Sequence, residues 1–206
     1  MQTLTGLLQI AERKEKGPAT TFDRVHLLLA FLTIGDSGMI GRGALAAKSE
    51  LGEGAIRTMI KKLREEGYAD AIASGCFLTP AGRRVYGSVR KKISLIVPIQ
   101  DSRLGVGSAQ AAVVVRGAAK AVRYGIEQRD SAIRAGAAGT TTYVIRSGKF
   151  TIPGGSADCE RDFPDRVWLE LRSKLKARNG DAVIVCGALQ ETLARAGALA
   201  AALTLL

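Results

Sequence analysis

The stretch IGRGALAAKSELGEGAIRTMIKKLREEGYAD, Ile40–Asp70, decides the reading of the fold. Gly43–Ser49 is a short helical run, Leu51-Gly52-Glu53-Gly54 a turn, and Ala55–Glu66 a second helix. Gly67 follows that helix, where a residue tolerant of left-handed backbone closes the last turn. Ile56, Ile60 and Leu63 recur at i, i+4 and i+7, so they share one apolar side that Leu45 and Leu51 extend. The opposite side then carries Arg57, Thr58, Lys61, Lys62 and Arg64. A supporting helix, a glycine turn and a second helix with an apolar inner side is the order of a helix-turn-helix.

Upstream, Met1–Arg13 and Phe22–Ile34 read as two helices divided by Gly17-Pro18. Downstream, Ala69–Ile72 and Cys76–Thr79 alternate about Ser74-Gly75 and predict a β-hairpin. Pro80 then opens a helix over Ala81–Ile93. With the hairpin as wing, this is the element order of a winged helix-turn-helix. Residues 51–92 hold nine Lys or Arg against four acids, the excess a phosphate backbone attracts. Arg83 and Arg84 join the basic side of the second helix as candidate DNA contacts. Phe77 is the only aromatic of the wing, which argues against base stacking on single strands.

From Phe22 to Ile93 the chain resembles the winged-helix heads of prokaryotic transcriptional regulators, including their leucine-threonine-x-x-glycine-arginine step at Leu78–Arg83. Nearly the whole chain is similar to an archaeal family of about this length, a winged-helix head followed by a small α+β domain. The residues that carry this likeness are LLQIAERKEKGPATTFDRVHLLLAFLTIG, GEGAIRTMIKKLREEGY, GIEQRDSAIRAGAAGTTTYVI and GALAAALTLL. The resemblance implies transcriptional regulation and implies no ligand.

The pattern changes near Ser94. Ser94–Gln100, Ala111–Val115 and Asp181–Cys186 are strand-like, and Thr141–Ile152 is a hairpin turning at Ser147-Gly148. Gly125–Ala137, Phe163–Ala177 and Gln190–Leu206 are helical. The expected class is α+β: an N-terminal winged helix-turn-helix domain over residues 1–93 and a C-terminal mixed α/β domain over 94–206.

The 206 residues carry thirty Lys and Arg against nineteen acids, a net charge of +11, which favours an anionic partner. Three scattered cysteines suggest no CxxC ligand pair, and the lone His26, read as a packed helix residue, excludes HExxH zinc sites and histidine triads by count. Met1–Arg13 lacks the pattern of a signal peptide, and Leu189–Leu206 is too short and polar to span a bilayer. No P-loop or GxSxG occurs, so neither catalytic residues nor a cofactor are expected, and a reducing cytoplasm is the expected home.

Two segments of the second half are candidates for a ligand. Asp101–Ser108 contains Arg103, Gly105 and Gly107, whose backbone N–H groups suit an anion, although a plain connecting loop explains them as well. Gly125–Ala137 carries Glu127, Arg129 and Asp130. On a helical wheel Ile126, Ile133 and Ala137 form the inner side with Asp130 at its border, and Gln128, Ser131 and Ala135 face outward. Either Asp130 pairs structurally with Arg134, or it and Arg129 enter a pocket roofed by the 101–108 loop and floored by Thr140 and Thr141. The reading favours the pocket and a small polar or phosphate-bearing effector. The expectation is a regulator of double-stranded DNA acting as a homodimer, with the small residues of Thr192–Leu206 either packed under their own sheet or paired across the dimer. Two rivals are an enzyme acting on a nucleotide or metabolite under a regulatory head, and a protein-interaction module.

Overall fold

The structure, a computed structural model, describes residues 3–12, 21–49, 51–99 and 103–206. The chain is α+β and divides into two compact units, Met1–Val89 and Arg90–Leu206.

The first unit runs α1 (Leu4–Glu12), α2 (Arg24–Ser37), β1 (Met39–Ile40), α3 (Arg42–Ser49), α4 (Glu53–Glu65), β2 (Ala69–Ile72), β3 (Gly75–Leu78) and α5 (Pro80–Lys92), whose last turn falls beyond Val89. Its central helix is α2, apolar on nearly every side, with Leu27, Leu28, Phe31 and Leu32 buried. The helix starts at Asp23, whose carboxylate accepts the N–H groups of Val25 and His26. His26 Nδ1 lies 2.7 Å from the same carboxylate. His26, expected as a packed helix residue, is therefore a partly exposed capping partner at the start of the helix.

Tyr68 fastens the unit together. Its ring meets Phe31 edge-on at 6.1 Å, and its hydroxyl donates to the Thr3 carbonyl at 3.0 Å. Gly82 in α5 passes so near that a Cβ there would lie 1.9 Å from the Tyr68 carbonyl oxygen. The expected hairpin β2–β3 forms, and β1 pairs with β3 as a third antiparallel strand in the order β1-β3-β2. The two residues of β1 are too few for any periodicity to announce them.

Residues Arg90 to Ile93 belong with the second unit, ahead of the junction expected after Ile93. Ile93 bridges to Val115, the Arg116 amide donates to the Lys92 carbonyl, and Arg90 donates to the Ser94 carbonyl at 2.6 Å. The second unit then runs β4 (Val97–Ile99), β5 (Ala109–Val115), α6 (Ile126–Arg134), β6 (Gly139–Arg146), β7 (Lys149–Thr151), α7 (Cys159–Asp162), α8 (Val167–Leu175), β8 (Ala182–Ala188) and α9 (Glu191–Leu203). Its sheet is antiparallel throughout, in the order β4-β5-β8-β6-β7. Both central turn residues between β6 and β7, Ser147 and Gly148, have positive φ (49° and 74°), which suits the right-handed twist of the two strands.

Strand alternation gives the sheet two buried faces. One face, with Val114, Tyr143, Ile145, Val183 and Val185, packs on Trp168, Leu171 and Leu175 of α8. The other lies under α9, and α6 packs on α9 and β6. Close approach there depends on small residues: a Cβ on Gly197 would stand 2.6 Å from Cys186 Sγ and 2.7 Å from Ala137 Cβ. Ala194 and the run Ala196–Ala202 are buried within their own unit, the first of the two placements expected for this helix.

Candidate nucleic-acid interface

Helix α4 puts Ile56, Met59, Ile60 and Leu63 inside, as its sequence spacing requires. Its outer side and the β2–β3 hairpin enclose a groove of about 400 Å³. Arg57, Lys61 and Arg64 of α4 line it, opposite Ala71, Ile72 and Ala73 of the hairpin, and Arg42 enters from the first turn of α3. Four cations from two helices therefore face one concave surface with an apolar floor at Ile60.

Two of the four are lightly held. Arg64 Nε lies 3.0 Å from Asp70 Oδ1, with both side chains about half exposed. The Ala71 amide, and secondarily Arg64, holds the Asp70 carboxyl below its ordinary range. Lys61 stands 3.7 Å from Glu65. Such exposed pairs are screened by water and add little to stability, so their cations can exchange for a phosphate partner. Arg42 and Arg57 make no ion pair with a described residue.

The remaining expected contacts separate from these. Lys62 is only 3% exposed, and its ammonium donates to the Ile10 carbonyl at 3.4 Å. It is a core residue, because α1 covers a position that α4 alone would leave in water. Thr58 turns its hydroxyl back to the Gly54 carbonyl at 3.0 Å. Arg83 donates to the Leu78 carbonyl at 2.7 Å, and Arg84 is exposed on α5; neither lines the groove. Arg42 was missed, although the Gly41-Arg42-Gly43 triplet places a lone cation at the start of a helix.

The single ligand pocket expected in the second half does not form. Alternation along β6 sends Thr140 and Thr141 to opposite faces of the sheet. Thr140 donates to the Val185 carbonyl at 2.8 Å, whereas Thr141 reaches toward the Leu104 carbonyl at 3.5 Å. Helix α6 is also turned the other way from the expected wheel: Gln128 and Ala132 are buried, while Ile126 and Ile133 are about half exposed. Gln128 donates to Thr204 Oγ1 at 2.6 Å and Ser131 to the Ala200 carbonyl at 3.0 Å, so polar anchors on α9 fix the rotation.

Arg129 and Asp130 bond to each other at 3.1 Å near the surface, and Glu127 is exposed. Gly105 and Gly107 serve close packing. A Cβ on Gly107, whose φ is 101°, would lie 2.5 Å from the Ala188 carbonyl oxygen, and one on Gly105 2.7 Å from the Gln110 amide carbon. Arg103 and Thr141 do line a second cleft together, on the α8 side of the sheet. Asp101 lies outside the described residues.

Among the described residues no cluster of three or more His, Cys, Asp or Glu is placed to hold a metal ion. Cys76, Cys159 and Cys186 are free and buried, and burial raises each thiol, Cys186 to about 11. Such thiols are poor nucleophiles. No described helix is long and apolar enough to cross a membrane.

Residues 106–205 match the model of a domain of unknown function, DUF4443, which covers most of the second unit. No curated protein matches the chain. The solved structure of hypothetical protein PH0730 from Pyrococcus horikoshii OT3 is similar in fold, with a TM-score of 0.72 at 22% identity over 88% of this chain and 91% of that one.

Proposed function

We propose that the first unit is a winged helix-turn-helix that binds double-stranded DNA, with α4 as recognition helix and the β2–β3 hairpin as wing. The observation that carries this reading is the groove between them, into which Arg42, Arg57, Lys61 and Arg64 converge. Phosphates attract a row of cations of this kind, and a helix beside a hairpin is of a size to enter a major groove. The chain is then a transcriptional regulator whose second unit takes a small effector. Because one short recognition helix reads few base pairs, it acts as a homodimer on paired half-sites.

Duplex binding by the full chain, measured by fluorescence anisotropy over a salt series, tests this. Wild-type protein is expected to lose affinity steeply as salt rises. The double variant Arg57→Ala/Lys61→Ala should lower the logarithmic salt slope by about two units, roughly 0.9 for each lost phosphate contact. Lys62→Met, a change inside the core, should leave the slope unaltered. Equal binding and equal slope for the double variant and wild type would remove α4 as the recognition helix.

A further inference from the structure

A cleft of about 340 Å³ opens on the second unit between Leu104, the α8 side of β6, and the segment leading into α8. That volume lies at the small end of the range for drug-sized ligands, roughly 300–1,000 Å³. Leu104, Ile152 and Phe163 give it an apolar lining, which Arg103 shares.

Phe163 is 52% exposed, which is unusual for so large an apolar ring, yet its backbone is held from both sides. Its amide donates to the Cys159 carbonyl at 2.9 Å, and its carbonyl accepts the Trp168 indole N–H at 2.8 Å. The ring is thus presented by a fixed frame. Thr141 adds a hydroxyl to the lining, and it donates toward the Leu104 carbonyl at 3.5 Å.

Asp165 is the one acid on the lining, and both its oxygens are engaged by backbone. Oδ2 accepts the Arg103 amide and Oδ1 the Val167 amide, each at 3.0 Å. Its carboxylate pins the loop to the start of α8 and makes no hydrogen bond to the Arg103 guanidinium. That guanidinium makes no side-chain hydrogen bond or close ion pair with a described residue and acts on the Asp165 carboxylate only through space, and it is the only cation on the lining.

We infer that this cleft binds an aromatic monocarboxylate, its carboxylate on the Arg103 guanidinium and its ring against Phe163. A planar guanidinium fork matches a planar carboxylate with two parallel hydrogen bonds. An aromatic wall favours a flat apolar body stacked face to offset face. With the Asp165 carboxylate already held by two backbone amides, the single cation suits at most one further negative charge; a polyphosphate calls for several donors. The inference rests on reading the second unit as the effector-binding half, and it is independent of whether the first unit binds DNA.

Trp168 is the only tryptophan, so its indole N–H gives a single resonance that reports directly on the Phe163 carbonyl. The ¹⁵N-labelled full chain, without DNA, is titrated with sodium 2-naphthoate and separately with the neutral isostere 2-naphthamide. The naphthoate should shift the indole resonance saturably, and the amide should bind about tenfold or more weakly, as loss of a charge-assisted bond implies. Arg103→Ala and Arg103→Gln should each weaken naphthoate binding to a similar degree with an unchanged melting temperature, and Phe163→Ala should weaken both compounds. The absence of a saturable shift, equal binding of acid and amide, or full affinity in the Arg103 variants would each overturn the inference. None of these outcomes bears on DNA binding, which the salt series decides.

Discussion

Up to Val89 the chain holds twelve Lys and Arg against nine acids, and from Arg90 onward eighteen against ten. The second unit therefore carries the larger positive excess, yet much of it is answered in place. Arg116 meets Asp181 at 2.7 Å and Lys149 meets Asp158 at 2.7 Å, while Arg172 pairs with Glu160 and Lys174 with Glu170. The first unit has less excess charge, but four of its cations face one groove. A net charge of +11 says nothing of where an anion would sit; the convergence of charge from two helices is what singles out the groove in the proposed reading. The contrast also separates ion pairs that hold a fold from ion pairs that wait on a surface.

Asp181 is the strongest case of the first kind. It is 5% exposed and accepts from Arg116 Nη1 at 2.7 Å and from the amides of Gly117 and Arg178 at 2.9 Å. Arg116 in turn donates to the carbonyls of Leu175 and Lys176 at 3.0 Å. Asp181→Ala strands a partly buried guanidinium and two amides, and should cost about 3–5 kcal/mol. Calorimetry should show the loss as a lowered unfolding temperature. An unchanged transition would place Asp181 with the surface pairs and erase the contrast.

The next effect concerns packing, where the second unit uses small residues in place of a broad apolar stripe. Gly197→Val drives a branched side chain into Cys186 and Ala137 and should destabilise by about 1–3 kcal/mol, measured by urea denaturation. A neutral result would mean that α9 can move off the sheet.

In the first unit Asp23 caps α2, and Asp23→Ala should cost about 1 kcal/mol in the same assay. The His26 side chain, with its amide and that of Val25 adding to the effect, lowers the Asp23 carboxyl from 3.8 to about 2 against the opposing effect of burial. A depressed folded value means that the cap is fully present above the ordinary aspartate range. It is lost as pH falls from about 4 toward about 2. The alanine variant should show a correspondingly flatter acid limb of stability.

The smallest change in stability, and the sharpest test of a waiting pair, is Asp70→Asn. It removes one negative charge beside the groove and releases Arg64, so duplex affinity should rise at low salt while the melting temperature stays nearly constant. Weaker duplex binding would mean that Asp70 positions Arg64 for its partner.

Several elements were legible in the sequence because their cause is local. The i, i+4, i+7 run Ile56-Ile60-Leu63 is buried as its spacing demands. The Ser147-Gly148 turn and the hairpin around Ser74 follow from glycine and strand alternation over a few residues. Arg57, Lys61 and Arg64 were readable as a cationic side for the same reason. Lys62 was not, since its burial depends on α1, whose Ile10 carbonyl is 52 residues away.

The sequence by itself determined the α+β class, the spans of the longer helices and strands to within a few residues, and the apolar side of each strongly amphipathic helix, but neither β1 nor α7. Tertiary structure decided which side of α6 is hidden, because a helix of small and polar residues has no dominant apolar face. Its rotation was set by Thr204 and the Ala200 carbonyl, on another element. Tertiary structure likewise divided Thr140 from Thr141 and brought Arg103 to Phe163, because the pleat and the antiparallel order of the sheet govern those meetings. Periodicity records what a residue needs from its own element, and only packing reveals what another element supplies.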